Sequence, residues 1–475
     1  MIIFLFCMFF SIVLCYTQYI KLVLTSKEEC NMQDLARAVD KYRELILEAE
    51  RFIWKHPETG YREKVTSKYM EDAFRNLGYD LVIADGITGF YTCIDTGRPG
   101  PEILILGELD AVICPSHKDA DPQTGAVHSC GHHAQCAALL GIAAALTEPG
   151  ILDKFSGKIR LCAVPAEELL EIDYRTKLKK DGVIKYFGGK SEFLSRGYFD
   201  GVDLAFMVHT SFQFGVRKGS VGCMAKNISY KGVASHAGGS PWNGRNALYA
   251  ATCGLNAVNA IRETFQENDI IRVHPIITHG GEIVNAIPEL VQLESYVRGK
   301  TFEGIKAANK KVNQALTGAA LSLGTNIEIE DSPGYAPLVN DENMMLVAKE
   351  AAAMAMPERE FDFSHVIGSG STDMGDLSCI MPVVHPYAPG AQGRSHGNDY
   401  EIVDPEAACV SCAKWQLAML LLLMGNGAER AKQVVTEHQS MFPSKEAYLE
   451  YVDGINACGD RIIYHEDGTA EVVIN

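Results

Sequence analysis

Cys130 and His132 stand two residues apart in the run Val127-His128-Ser129-Cys130-Gly131-His132-His133. A thiolate and an imidazole at that spacing can hold one transition metal ion, or one member of a close pair. A buried thiol beside a core histidine would give the same pattern, so the reading depends on further donors. Pro165-Ala166-Glu167-Glu168 supplies two carboxylates directly after the apolar run 159–164. His209 follows the apolar run 204–208, and His396 lies in the glycine-flanked loop Gly393-Arg394-Ser395-His396-Gly397. Cys130, His132, Glu168, His209 and His396 make five candidate protein ligands. That is too many for one tetrahedral zinc and about right for two divalent ions sharing a bridge. The mixed sulfur, nitrogen and oxygen donors suit zinc first, with manganese or cobalt as alternatives. Glu167, beside the ligand Glu168, is then in position to act as general base on a water at the metals.

These donors converge only if the chain delivers them to one edge of a sheet. The runs 89–94, 103–106, 159–164 and 204–208 read as short strands alternating with helices, the most apolar helix being 133–147. That alternation predicts an α/β fold, a mixed sheet flanked by helices. Ligands gather outside the carboxyl ends of such strands, which is where Glu167, Glu168 and His209 fall. Cys130 and His132 enter the 133–147 helix, whose free N–H groups favour a thiolate. Helical spacing also predicts helices over 35–53, 66–77, 342–355 and 406–424. The apolar run 418–424 in the last of these is too short to span a bilayer.

From about Cys223 the rhythm changes to strand 224–230, helix 245–265, strand 270–278, strand 289–297, helix 302–323 and strand 326–330. This β-α-β-β-α-β order is the ferredoxin-like unit, inserted as a domain of its own. The expected organisation is an apolar extension over 1–31, a discontinuous catalytic domain over 32–222 and 332–428, the inserted domain over 223–331, and a C-terminal extension over 429–475. The C-terminal extension reads as a helix near 445–452 and a hairpin turning at Asp467-Gly468. The polar, lysine-rich segment 171–197 reads as a solvated surface excursion, or as a lid over the site.

A net charge of −17 argues against nucleic acid as a partner, because its phosphates would be repelled. Fourteen cysteines are scattered singly, as suits free thiols in a reducing cytoplasm rather than a secreted disulfide framework. The apolar start complicates that expectation, since residues 1–20 could anchor the chain in a membrane or direct its export. No Lys or Arg precedes Lys21, no small-residue cleavage site follows, and translation starting near Met32 is a further option.

Taken together and in order, the motifs resemble the aminoacylase/carboxypeptidase family of two-metal amidohydrolases, peptidase family M20. Within it the chain is most similar to the branch of p-aminobenzoyl-glutamate hydrolase, hippurate hydrolase and auxin-conjugate hydrolases. The resemblance runs from His56 to about Met424. It rests on His56-Pro-Glu-Thr-Gly60, Gly107-Glu-Leu-Asp-Ala111, Cys130-Gly-His132, Pro165-Ala-Glu-Glu168, Ser235-His-Ala237 with Pro241, and Asn285-Ala-Ile-Pro288. It implies hydrolysis of an amide or peptide bond in a small N-acyl amino acid, an aminobenzoyl-glutamate-like conjugate or a dipeptide. It also implies Cys130 at the bridging position, Glu167 as base and Asp110 as the acid that orients a ligand. By the same resemblance His236 reaches a partner subunit's site and polarises the scissile carbonyl, Asn285 helps hold substrate, and the inserted domain serves as lid and homodimer contact.

Three features depart from the branch. His133 stands where Asp or Asn is usual, which allows an extra ligand or altered support around the metals. The 171–197 excursion and the C-terminal tail are longer than expected, and Gly368-Ser-Gly-Ser-Thr-Asp-Met-Gly375 follows the p-aminobenzoyl-glutamate form. The alternative readings are deacylation of a non-peptide amide and a non-catalytic relative with a degenerate metal site.

Overall fold

The run Glu102–Glu108 is buried at every position and pairs in parallel with Lys158–Val164 on one side and Leu204–Phe206 on the other. A strand covered on both faces carries apolar residues without alternation, and this one does so up to its last residue. The computed structural model describes residues 26–474, so most of the apolar extension expected over 1–31 lies outside the described residues. The central sheet has six strands, in the order Val82–Ile83, Phe90–Asp95, Lys158–Val164, Glu102–Glu108, Leu204–Phe206 and Val383–Val384. The first two run antiparallel to their neighbours and the rest are parallel, which is the mixed sheet expected.

Helix His132–Leu146 is buried at all 15 positions and lies against this sheet. Its approach needs a residue without a side chain at Gly107, where a Cβ would come within 3.2 Å of Leu139 Cδ2. The helix expected over 35–53 is two helices, Ser26–Lys41 and Arg43–Trp54. Tyr42 departs from helical geometry between them (φ −105°, ψ 16°), and its hydroxyl donates to Glu148 Oε1 at 2.6 Å. The wide turn Glu406–Ser411 leads into helix Cys412–Met424, and both pack in the core. Of the apolar stretch within Glu406–Met424, 83% is buried inside the protein, which accounts for its hydropathy without a membrane.

A second sheet is built from Gly222–Lys231, Arg272–Val273, Ile276–His279, Leu290–Gly299 and Asn326–Tyr335, with helices Ala247–Ala260 and Phe302–Ser322 packed on it. In space the strands of this β-α-β-β-α-β unit run fourth, first, third, second, the ferredoxin-like order. Residues 457–460 add a strand that sequence patterning did not suggest. Ala457–Asp460 pairs antiparallel with Asn326–Tyr335 at the outer edge. The preceding helix, Lys445–Asp453, stays on the first sheet's side, where Asp453 accepts bonds from Lys185 Nζ and the Tyr186 hydroxyl, each at 2.8 Å.

The solvated excursion expected over 171–197 is corrected by its burial. Helices Ile172–Lys180 and Gly189–Ser195 turn Arg175 and Lys190 fully inward. Polar composition hid this because the Arg175 Nη1 and Nη2 donate to the carbonyl oxygens of Phe187 and Glu168, one buried acceptor for each of those two nitrogens. All twelve cysteines among the described residues are unpaired thiols.

Candidate metal centre and active site

Two strand ends, a helix start, the start of a short strand and a loop bring the donors together. Strand Glu102–Glu108 runs out into Leu109 and Asp110, and strand Lys158–Val164 runs out into Glu167 and Glu168. Helix His132–Leu146 begins at His132 because Gly131 turns the chain through a left-handed conformation (φ 96°) that a side chain would disfavour. His209 opens the short strand His209–Thr210, and His396 is fixed by its backbone N–H, which donates to Ser129 O at 2.8 Å.

The donor atoms fall into three overlapping groups: Cys130, His132 and His209; Cys130, Glu168 and His396; Glu108, His132 and Glu167. Cys130 joins the first two, and its sulfur lies 3.4 Å from His209 Nε2. His396 Nε2 lies 2.9 Å from Glu168 Oε1. Two of the imidazoles are held so that Nε2 faces the centre. His132 Nδ1 is 3.0 Å from Asp110 O and 3.1 Å from Asp110 Oδ1, while His209 Nδ1 is 2.8 Å from Thr210 O. Asp110 also fixes the carboxylate loop, its Oδ2 accepting the Glu168 backbone N–H at 2.8 Å. A carboxylate bonded to one ring nitrogen sets an imidazole's tautomer and orientation, and Asp110 holds that place behind His132.

These atoms fit two divalent ions on chemical grounds. His132 Nε2 and Glu108 Oε2 are buried with no hydrogen-bond partner among the described residues, and they face each other at 3.3 Å, an arrangement that a cation between them would satisfy. The Cys130 thiol is drawn down to about 5: burial and Glu168 push it up, but His132, His209 and His396 outweigh both. A thiolate is the form that binds metal. The Glu167 carboxyl is pushed well above the usual range by burial and then by Glu108, Glu168 and Asp373, the environment of a carboxylate that takes up a proton. Its Oε2 is 3.8 Å from His132 Nε2, and the Tyr335 hydroxyl donates to its carbonyl oxygen.

Sequence patterning missed three contributors. Lys190 is fully buried and bonds Glu108 Oε1 at 2.5 Å, with a second bond to Asp373 Oδ1. Glu108 was visible inside the Gly107-Glu-Leu-Asp motif as an acid ending an apolar strand. Lys190 and Asp373 carry no local signal because they meet across 183 positions of sequence. His385 is buried beside His209, ring centroids 5.7 Å apart, with no partner for either ring nitrogen among the described residues, and burial holds it neutral at about 3.

His133 belongs to none of the three groups. Its ring turns to helix Arg43–Trp54, with Nε2 3.4 Å from Glu50 Oε1 and its centroid 4.9 Å from the Trp54 ring. His236 and Asn285 sit together in the second sheet's unit: the Ala237 N–H donates to Asn285 O, and His236 pairs with Ala286. His236 is exposed, with Nδ1 accepting the Gly239 N–H at 2.8 Å. Among the described residues no hydrogen bond, ion pair or ring contact joins either residue to the three donor groups.

Comparison with known proteins bears on the fold and the family. A Xaa-Arg dipeptidase from Homo sapiens is 28% identical over 385 residues, covering 77% of this chain and 81% of that protein. One of the p-aminobenzoyl-glutamate hydrolase polypeptides of Escherichia coli is 27% identical over 337 residues, 67% of this chain and 65% of that one. Among solved structures, a dinuclear metal binding peptidase from the M20 family of Bacillus subtilis superposes with a TM-score of 0.59 at 19% identity. That superposition covers 81% of this chain and 99% of the other, and supports the fold. Residues 104–421, more than half of the sequence, match a described family, and the chain belongs to Peptidase family M20/M25/M40.

Proposed function

We propose that the chain is a metal-dependent amidohydrolase that cleaves an amide or peptide bond in a small N-acyl amino acid, an aminobenzoyl-glutamate-like conjugate or a dipeptide. The observation that carries this reading is the junction of the donor groups at Cys130 and His132, with the Glu167 carboxylate beside them. Cys130, His132, Glu168, His209 and His396 would hold two divalent ions, zinc first by donor chemistry, with manganese or cobalt as alternatives. Such ions supply Lewis acidity toward the carbonyl and make water nucleophilic near neutral pH. Glu167 takes the proton of the attacking water and returns it to the departing amine. Asp110 keeps His132 oriented throughout.

The inserted unit supports a second part of the reading, that 223–331 acts as lid and homodimer contact. Ile276, Ile277, Ile283 and Val284 are exposed, the last completely, on or beside the edge strand Ile276–His279. Large apolar side chains left in water at a sheet edge favour a protein contact there. Pairing two copies there lets His236 and Asn285 serve the neighbouring centre, His236 donating to the carbonyl oxygen of the scissile bond. Sedimentation velocity should give a dimer at micromolar concentration and a monomer for Ile277→Lys. A wild-type monomer would sink the pairing.

The names of the relatives span a basic amino acid, arginine, and an acidic one, glutamate, so they leave the released amino acid open. The test is metal content together with a substrate panel. Protein purified without chelator should carry about two transition-metal ions per chain and release amino acids from N-acyl amino acids or dipeptides. Chelation should abolish release, and zinc or manganese should restore it. Metal near zero after reconstitution would favour the degenerate relative. Turnover only of amides lacking an amino acid would favour the deacylase.

A further inference from the structure

Three successive backbone carbonyls at the candidate base are each held by a side chain from outside their loop. The chain leaves strand Lys158–Val164 at Pro165 and has no regular structure until helix Ile172–Lys180. A buried loop has no ladder to satisfy its peptide groups, so other partners must do so. The Tyr335 hydroxyl donates to Glu167 O, Arg175 Nη2 to Glu168 O, and the Tyr296 hydroxyl to Leu169 O. Acids of the catalytic domain meet the N–H side. The Ala166 N–H donates to Glu63 Oε1 and the Glu168 N–H to Asp110 Oδ2, each at 2.8 Å.

Alternation along the second sheet delivers the two tyrosines. Tyr335 pairs with Cys223 and Tyr296 with Ala225, two positions apart on strand Gly222–Lys231, so all four share one face. The opposite face, with Met224, Ile228 and Val297, is the one that helices Ala247–Ala260 and Phe302–Ser322 cover. An antiparallel sheet commonly leaves its second face to water. Here Cys223, Ala225 and Tyr335 instead form one apolar cluster with Ala166 and Leu169 of the loop. Ala166 is left-handed there (φ 56°), a conformation that a residue with a side chain keeps only where its surroundings impose it. Among the described residues, the side-chain hydrogen bonds of Tyr335, Arg175 and Tyr296 all end on carbonyl oxygens, none on a donor atom of the centre.

We propose that Tyr335, Arg175 and Tyr296 are positioning residues for the hydrolysis, aiming the Glu167 carboxylate by gripping the backbone at Glu167, Glu168 and Leu169. This rests on the amidohydrolase reading above and deepens it. Two of the three grips come from the second sheet, so the base is aimed from a domain that does not carry it. A general base acts only within hydrogen-bond reach of the proton it takes, and a displacement of about 1 Å can cost roughly 100-fold in rate. Seating of the second sheet on the loop is then a condition for turnover as well as for packing.

The test uses Tyr335→Phe and Tyr296→Phe, which keep the rings packed and remove only the donating hydroxyls. On N-benzoyl-glutamate, or on the dipeptide turned over fastest, Tyr335→Phe should lower kcat by roughly 10- to 100-fold. KM and metal per chain should stay at the wild-type values. Tyr296→Phe, two residues further from the base, should lower kcat less. Arg175→Lys keeps the charge but loses the fork that spans Glu168 and Phe187, and should behave like Tyr296→Phe. In Glu167→Gln protein the Tyr335 change should cost nothing further, because it acts through the missing carboxylate. Hydrogen exchange should quicken in peptides spanning 165–170 and keep the wild-type rate in helix Phe302–Ser322. An unchanged kcat in both tyrosine variants, or an equal fall with and without Glu167→Gln, overturns the positioning role and leaves the hydrolase reading intact. If wild type hydrolyses nothing, the hydrolase reading falls, and exchange over 165–170 still decides the grip. Faster exchange in either tyrosine variant upholds it, and unchanged exchange in both overturns it.

Discussion

Glu167→Gln should lower kcat by roughly 100- to 10,000-fold while the metal content per chain stays at the wild-type value. The side chain keeps its volume and its place, because the Tyr335 hydroxyl holds the Glu167 carbonyl and the Ala166 N–H donates to Glu63 at 2.8 Å. What changes is basicity. An amide cannot take a proton from water, whereas the native carboxyl, raised by burial and by Glu108, Glu168 and Asp373, is tuned to hold one. The five proposed ligands are untouched, so inductively coupled plasma mass spectrometry separates loss of base from loss of metal. A variant that retains more than a tenth of wild-type kcat would remove Glu167 from the role.

Lys190→Met should destabilise the protein by about 3–5 kcal/mol, the usual consequence of taking one partner out of a buried ion pair. Lys190 lies between Glu108 and Asp373, and all three side chains are fully buried. Burial lowers the ammonium's hold on its proton, but Asp373 and Glu108 outweigh it and keep that hold well above the ordinary value. Methionine fills the same space and leaves both acids without a counter-charge. Glu108→Gln added to Lys190→Met should recover part of the loss, because one of the stranded charges is gone. Urea denaturation of the metal-loaded proteins measures both differences. A loss below about 1 kcal/mol for the single variant would mean that the acids are protonated in the native state and that Lys190 contributes little.

The two expectations differ in how far they could be read without coordinates. Glu167 was legible because it follows a buried strand and precedes a second carboxylate, so its position and its chemistry were encoded within four residues. The same local logic found Cys130, His132, His209 and His396, each tied to a strand end, a helix start or a glycine-rich loop. Lys190 was illegible for the opposite reason. Its segment is polar, and polarity predicts solvent unless partners elsewhere in the chain are known. Those partners, Glu108 and Asp373, lie 82 and 183 positions away. His133 was misleading in a different sense, because adjacency to His132 suggested a shared site. One residue along a helix turns a side chain by about 100°, which sends His133 to Glu50 instead.

The strand Ala457–Asp460 changes what the second sheet offers at its margin. An open sheet ends in strands whose free backbone groups can recruit a neighbour, and the hazard grows with the length of the exposed strand. Here the ten-residue strand Asn326–Tyr335 is covered at four positions by a short strand from the chain's own tail. The strands left at the two margins, Ala457–Asp460 on one side and Arg272–Val273 with Ile276–His279 on the other, are each four residues or fewer. Margins this short present few consecutive backbone groups to a stranger, so the tail works as a blunting strip against edge-to-edge growth.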